Sequence, residues 1–122
     1  MPADKAINNK KNAYKMVVLS NPVKGREDEC DDWYQNTHLA DVVALPGFTS
    51  AQRYRVANTM VVPNPYQYLA VYEIETDDLD HSIRALVTGA ESGGLVVSEA
   101  LDSGNAYAVV YEASGKVVAK LT

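Results

Sequence analysis

The spacing of hydrophobic residues changes several times along the chain, and each change marks an element. Tyr14 to Ser20 (YKMVVLS) is nearly continuous in apolar residues and reads as a buried strand, which Asn21-Pro22 stops. From Arg26 to Ala44 the period becomes helical. Cys30, Tyr34, His38, Val42 and Leu45 recur at steps of four and three and so share one helix face. Glu27, Asp28 and Glu29 suit the positive end of that helix, and Pro46-Gly47 ends it. Phe48 to Ala57 reads as a strand with Phe48, Ser50, Gln52, Tyr54 and Val56 on one face. Thr49, Ala51, Arg53 and Arg55 fall on the other. Asn58, Pro63, Asn64 and Pro65 mark a long connection. Tyr66 to Glu75 is the clearest strand, and Thr76-Asp77-Asp78 supplies the cap of a second helix. Leu79, Ile83, Leu86, Val87 and Ala90 form the apolar stripe of that helix, and Gly93-Gly94 interrupts it. A helical turn is expected over Leu95 to Leu101, a last long strand over Asn105 to Glu112, and a short terminal strand over Lys116 to Leu121.

The order β, α, β, β, α, β predicts an α+β domain of the ferredoxin-like type: an antiparallel sheet with two helices on one face. Residues 1–13 read as a loose polar leader and 14–122 as one domain. The strands are apolar on both faces: Val17 and Leu19 alternate with Met16 and Val18. A face left bare by the helices needs cover. A second copy closing a dimeric α+β barrel would supply it, against the alternative of a monomer with a partly wet sheet.

Composition narrows the function. The formal net charge of −5 argues against nucleic acid as a partner. The lysines near the start (Lys5, Lys10, Lys11, Lys15) read as a short basic tail. A single cysteine, Cys30, cannot make an intrachain disulfide and reads as a small core residue. No apolar run reaches the length of a membrane span, and a cytoplasmic location is the default expectation. No metal-ligand spacing, Gly-rich phosphate loop or hydrolase signature occurs, so neither a metal nor another cofactor is expected.

Trp33-Tyr34 with His38, then Leu45-Pro46-Gly47-Phe48 and Gln52-Arg53-Tyr54, resemble the EthD-like branch of the dimeric α+β barrel superfamily. Tyr68-Leu69-Ala70-Val71-Tyr72-Glu73 resembles that branch's third strand, and the likeness spans roughly residues 14–113. It implies a pocket and a homodimer, but not a reaction. The superfamily includes cofactor-free monooxygenases, cyclases, isomerases, lyases and haem-degrading enzymes. His38 is the one residue that a haem reading could use, and nothing else in the sequence supports haem.

His38 is the leading candidate for chemistry, because imidazole moves protons near neutral pH. Its alternative is a structural histidine. Tyrosine is over-used, with eight residues against one phenylalanine. Tyrosines around a cavity suit a small aromatic or phenolic substrate, with Tyr34 and Tyr72 expected to assist His38. Tyr54, Tyr68, Tyr107 and Trp33 are expected to line the pocket. Arg53 is a candidate carboxylate anchor, its alternative being an ion pair with Glu73 or Glu75 on the neighbouring strand. These parts predict a cofactor-independent, lyase-type enzyme. A cofactor-free monooxygenase or a non-catalytic binding protein of the same fold are the alternatives.

Overall fold

The computed structural model describes residues 12–121. Strand β1 (Asn12–Ser20) leads to a helical segment in three parts: α1 (Glu27–Trp33), a π-helical turn (Tyr34–His38) and α2 (Leu39–Val43). Strands β2 (Phe48–Arg55) and β3 (Tyr68–Thr76) follow, then α3 (Leu79–Ser92), a 3-10 turn (Ser103–Asn105) and β4 (Tyr107–Glu112). The four strands form one antiparallel sheet in the order β2-β3-β1-β4, as expected of the ferredoxin-like arrangement. Met16 lies opposite Tyr72, and Val17 opposite Val71, in the β1–β3 ladder.

Several sequence expectations need correction. The expected leader falls largely outside the described residues, but Asn12 and Ala13 already pair with Thr76 and Glu75 in β1. Residues 95–101 form no helix, and Leu101 instead bridges to Pro22. Lys116 to Leu121 form no strand, and Val117, Val118 and Leu121 stand exposed. A strand is held by ladder bonds to a neighbour, and among the described residues this segment pairs with none.

A bulge corrects the face assignment in β2. Phe48 pairs with Ile74 but Ser50 with Glu73, so one extra residue sits between them. It moves Phe48 onto the face shared by Ala51 and Arg53, where it is buried edge-on to Tyr72.

The core lies between this face and the helices. Met16, Ala70, Tyr72, Ile74 and Phe48 from the sheet meet Cys30, Tyr34, Leu39 and Val42 from the first helical segment, with Leu79 and Leu86 of α3 alongside. Each Val, Leu, Ile, Phe or Met among them contributes roughly 1.5–3 kcal/mol when fully buried. The turn between α2 and β2 depends on Gly47, which has φ +86° and packs its α-carbon against Ser82 of α3. A Cβ there would collide with the Ser82 hydroxyl. Helix α3 is capped by Asp78, whose side chain accepts the His81 backbone N–H at 3.1 Å, and ends at Gly93 in the left-handed region.

The opposite face carries no helix. Val17, Leu19, Leu69, Val71 and Val109 alternate there with the buried positions and are half-exposed. Tyr54, Tyr107 and Tyr111 stand around them, and Lys15 and Glu73 make an ion pair at one end with N···O 2.7 Å.

Candidate functional site

The first helical segment positions the candidate residues through its π-helical turn. In an α-helix, residues five apart lie well round the axis from one another. The wider turn from Tyr34 to His38, with its i→i+5 bonding, brings such residues together. The His38 ring stacks on Trp33 with centroids 4.5 Å apart and planes 25° from parallel. The same ring meets Tyr34 edge-on at 5.1 Å. Trp33 is held by its indole N–H, which donates to the Val96 carbonyl at 3.2 Å.

His38 is half-buried, and its Nδ1 is buried with no hydrogen-bond partner among the described residues. Burial holds its pKa below the usual imidazole range, with nearby Asp41 opposing the shift. The ring is therefore neutral at pH 7 and free to accept a proton.

Beneath the helix, Tyr34 and Tyr72 are both only 1% exposed. Their hydroxyls face each other at 3.5 Å, with Tyr72 donating. That is longer than a full O–H···O bond, so both groups keep hydrogen-bonding capacity. Burial raises both phenols above the ordinary tyrosine pKa, Tyr72 the more strongly, and Arg53 opposes the shift in each. Both remain donors at any physiological pH.

Arg53 lies between two rings. Its guanidinium carbon is 4.6 Å from the Tyr34 centroid and 3.9 Å from that of Tyr68. Its Nη1 donates to Asp31 of α1 at 2.6 Å. The arginine side chain is only 9% exposed, and its Nε and Nη2 are buried without a partner among the described residues.

The sequence expectations divide by sheet face. Trp33, Tyr34, His38, Arg53, Tyr68 and Tyr72 gather between helix and sheet. Tyr54 and Tyr107 lie on the open face, 45% and 51% exposed, away from that cluster. The reason is elementary: neighbours on a strand point to opposite faces, so Arg53 and Tyr54 cannot share a site on one sheet. Arg53 does not pair with Glu73 or Glu75; Lys15 takes Glu73 and Asp31 takes Arg53. Asp31 was missed as a partner because it is one of a run of helix acids, which gives no sign of which one turns inward. The expected hollow between helix and sheet is filled by these side chains. Two concavities open elsewhere on the described residues. One of about 140 Å³ lies at the end of β2 and β3 among Tyr54, Arg55, Tyr66, Gln67 and Tyr68. Another of about 220 Å³ lies beside Lys15, Glu73 and Tyr111.

This fold and this layering define a small ferredoxin-like α+β protein with a polar, aromatic cluster beneath its first helix. The solved structures it resembles have the same architecture. A "putative monooxygenase" from Shewanella loihica matches with a TM-score of 0.59 at 15% identity, over 87% of this chain and 98% of that one. An EthD family protein from Bacillus halodurans matches with a TM-score of 0.58 at 19% identity, over 83% of this chain and 98% of that one. No family model and no curated protein matches the sequence. Among the described residues no helix is long and apolar enough to cross a membrane.

Proposed function

We propose that the chain is a cofactor-independent enzyme for a small aromatic or phenolic substrate, working in the layer between its first helical segment and the sheet. The observation that carries this reading is a half-buried histidine packed against the first of two buried phenols. His38 has a depressed pKa and an unpartnered Nδ1. The ring of Tyr34 meets it edge-on, and the Tyr34 and Tyr72 hydroxyls stand 3.5 Å apart. A neutral imidazole removes a proton from a phenol or an acidic C–H. Two phenolic O–H groups at that separation can both donate to a single oxygen on which charge develops. From an acidic C–H the anion expels a leaving group on the adjacent carbon. From a hydroxylated aromatic acid the imidazolium returns its proton to the ring carbon bearing the carboxylate. The carboxylate leaves as carbon dioxide while its bonding electrons return to the ring, and the phenolate takes a proton from water. Either case is a lyase-type reaction. To reach these groups a substrate must displace a side chain. Tyr68 is the natural one, being half-buried, stacked on Arg53 and part of the 140 Å³ concavity.

A second reading is cofactor-free oxygenation, in which the same anion reacts with dioxygen. It is favoured by the fold shared with the Shewanella loihica protein. One experiment addresses both. Hydroxylated aromatic acids are screened with the purified protein while dioxygen uptake and carbon dioxide release are followed together. Carbon dioxide release without dioxygen uptake supports the lyase. Dioxygen uptake supports the oxygenase. Turnover that survives His38→Gln at the wild-type rate overturns the base assignment.

We propose also that the open sheet face is closed by a second copy of the chain. Its half-exposed valines and leucines, ringed by tyrosines, support this. Sedimentation giving a stable monomer at micromolar concentration would overturn it.

A further inference from the structure

The donor groups of Arg53 are not all used, and which ones are free is informative. A guanidinium has two edges that can present paired donors to a carboxylate. One is the Nη1–Nη2 end; the other is the Nε–Nη2 side, whose two N–H bonds run parallel. Asp31 occupies Nη1. The two groups without partners are Nε and Nη2, which together make up the side edge. The Tyr34 and Tyr68 rings both pack against the group, their centroids 4.6 and 3.9 Å from its central carbon. The arginine is thus held by Asp31 and the two rings, with a complete fork unpaired and shielded from solvent. Two such donors left unpaired cost stability. A residue serving only to pair with Asp31 would not require the rest of its guanidinium to be buried bare.

We propose that the side edge of Arg53 binds a planar, two-oxygen anion, a carboxylate, carried by the substrate. This rests on the proposed enzymatic reading and names its substrate class: an aromatic or enolisable carboxylic acid, not a neutral phenol. Asp31 and the two rings fix the fork before the ligand arrives, so little ordering is needed on binding. Access is by way of Tyr68, which borders both the guanidinium and the concavity at the end of β2 and β3. The neighbouring Arg55, exposed and opposite Tyr68 in the β2–β3 ladder, adds positive charge at that mouth.

The test is a titration of the ¹⁵N-labelled wild-type protein with sodium acetate, sodium benzoate and 4-hydroxybenzoate. Benzamide and 4-hydroxybenzamide are the neutral counterparts. The Arg53 Nε–H resonance, assigned by its loss in Arg53→Lys, should move downfield and saturate with the acids and stay in place with the amides. Arg53→Lys keeps the charge but not the fork and should weaken benzoate binding at least tenfold. Arg53→Met should abolish it. His38→Gln should leave carboxylate binding within twofold of wild type even where it removes turnover, so failure of the base assignment and failure of the anchor are read separately. No shift of the Arg53 resonance with any acid up to 20 mM would overturn the proposal. So would a shift of equal size with the amides, or undiminished benzoate binding by Arg53→Lys.

Discussion

The two faces of the sheet depart from the ordinary division of polarity in opposite ways. A covered face is usually aliphatic and a bare face polar. Here the covered face receives Arg53, Tyr72 and Ser20, with Tyr34 and Cys30 laid on them from the helix. The bare face carries Val17, Leu19, Leu69, Val71 and Val109. Adjacent residues of β3 show the contrast most sharply: Tyr72 is buried with a hydroxyl, and Val71 is half-exposed without any polar group. Hydrogen-bonding groups placed where water is excluded are expensive to keep and serve recognition when they are kept. Aliphatic groups placed where water is present favour cover by protein. The contrast gives the two faces separate proposed roles, and each can be tested by substitutions on a single strand.

The largest expected effect is on stability. Ile74→Ala, at a 1% exposed position on the covered face, should cost about 2–5 kcal/mol in urea denaturation. Val71→Ala, on the same strand but the open face, should cost under about 1 kcal/mol in a monomer, since its side chain is only partly removed from water. If the second copy covers this face, the Val71→Ala cost will rise with protein concentration while that of Ile74→Ala will keep its large monomer component. Equal costs at every concentration would erase the contrast. Next in size is Val71→Asp, which should convert the proposed dimer to monomer in sedimentation while leaving the circular dichroism spectrum unchanged. Smaller still is Tyr72→Phe. The long Tyr72–Tyr34 contact contributes about 1 kcal/mol or less to folding, so the melting curve should barely move. Turnover on an accepted substrate should fall far more, by about 10²-fold if the hydroxyl steadies an oxyanion.

The sequence carried the architecture well because alternation and helical period are local signals. The order of elements, the cap at Asp78 and the stop at Pro46-Gly47 all follow from residue types at short range. The β2 bulge and the π-helical turn were not legible, since each adds a residue to a regular pattern without a distinctive residue marking it. Their consequences reach the candidate site. The bulge brings Phe48 to the Tyr72 side, and the π turn stacks Trp33 on His38, a pair five residues apart that no α-helical wheel would join. Tyrosine count alone drew Tyr54 and Tyr107 into the site. The alternation in β2, which already separated Arg53 from Tyr54, was the sounder guide.

The finest test of the covered face is its response to acid. His38 has a folded-state pKa below its ordinary value of 6.5, chiefly because burial disfavours the imidazolium. The unfolded chain therefore takes up that proton more readily than the folded one. Above about 6.5, the unperturbed histidine value, neither state is protonated, and the residue adds no pH dependence. As pH falls through that value toward the depressed one, stability is lost. Wild-type protein should become less stable relative to His38→Gln on acidification across this window, and the difference should be constant at higher pH. Asp41 favours the charged ring, so Asp41→Asn should deepen the acid loss. Urea midpoints at a series of pH values, beside an NMR titration of the His38 ring, give both quantities. A His38 resonance titrating at or above the ordinary value would mean that the ring is solvated. The covered face would then lack the neutral base that distinguishes it from the open one.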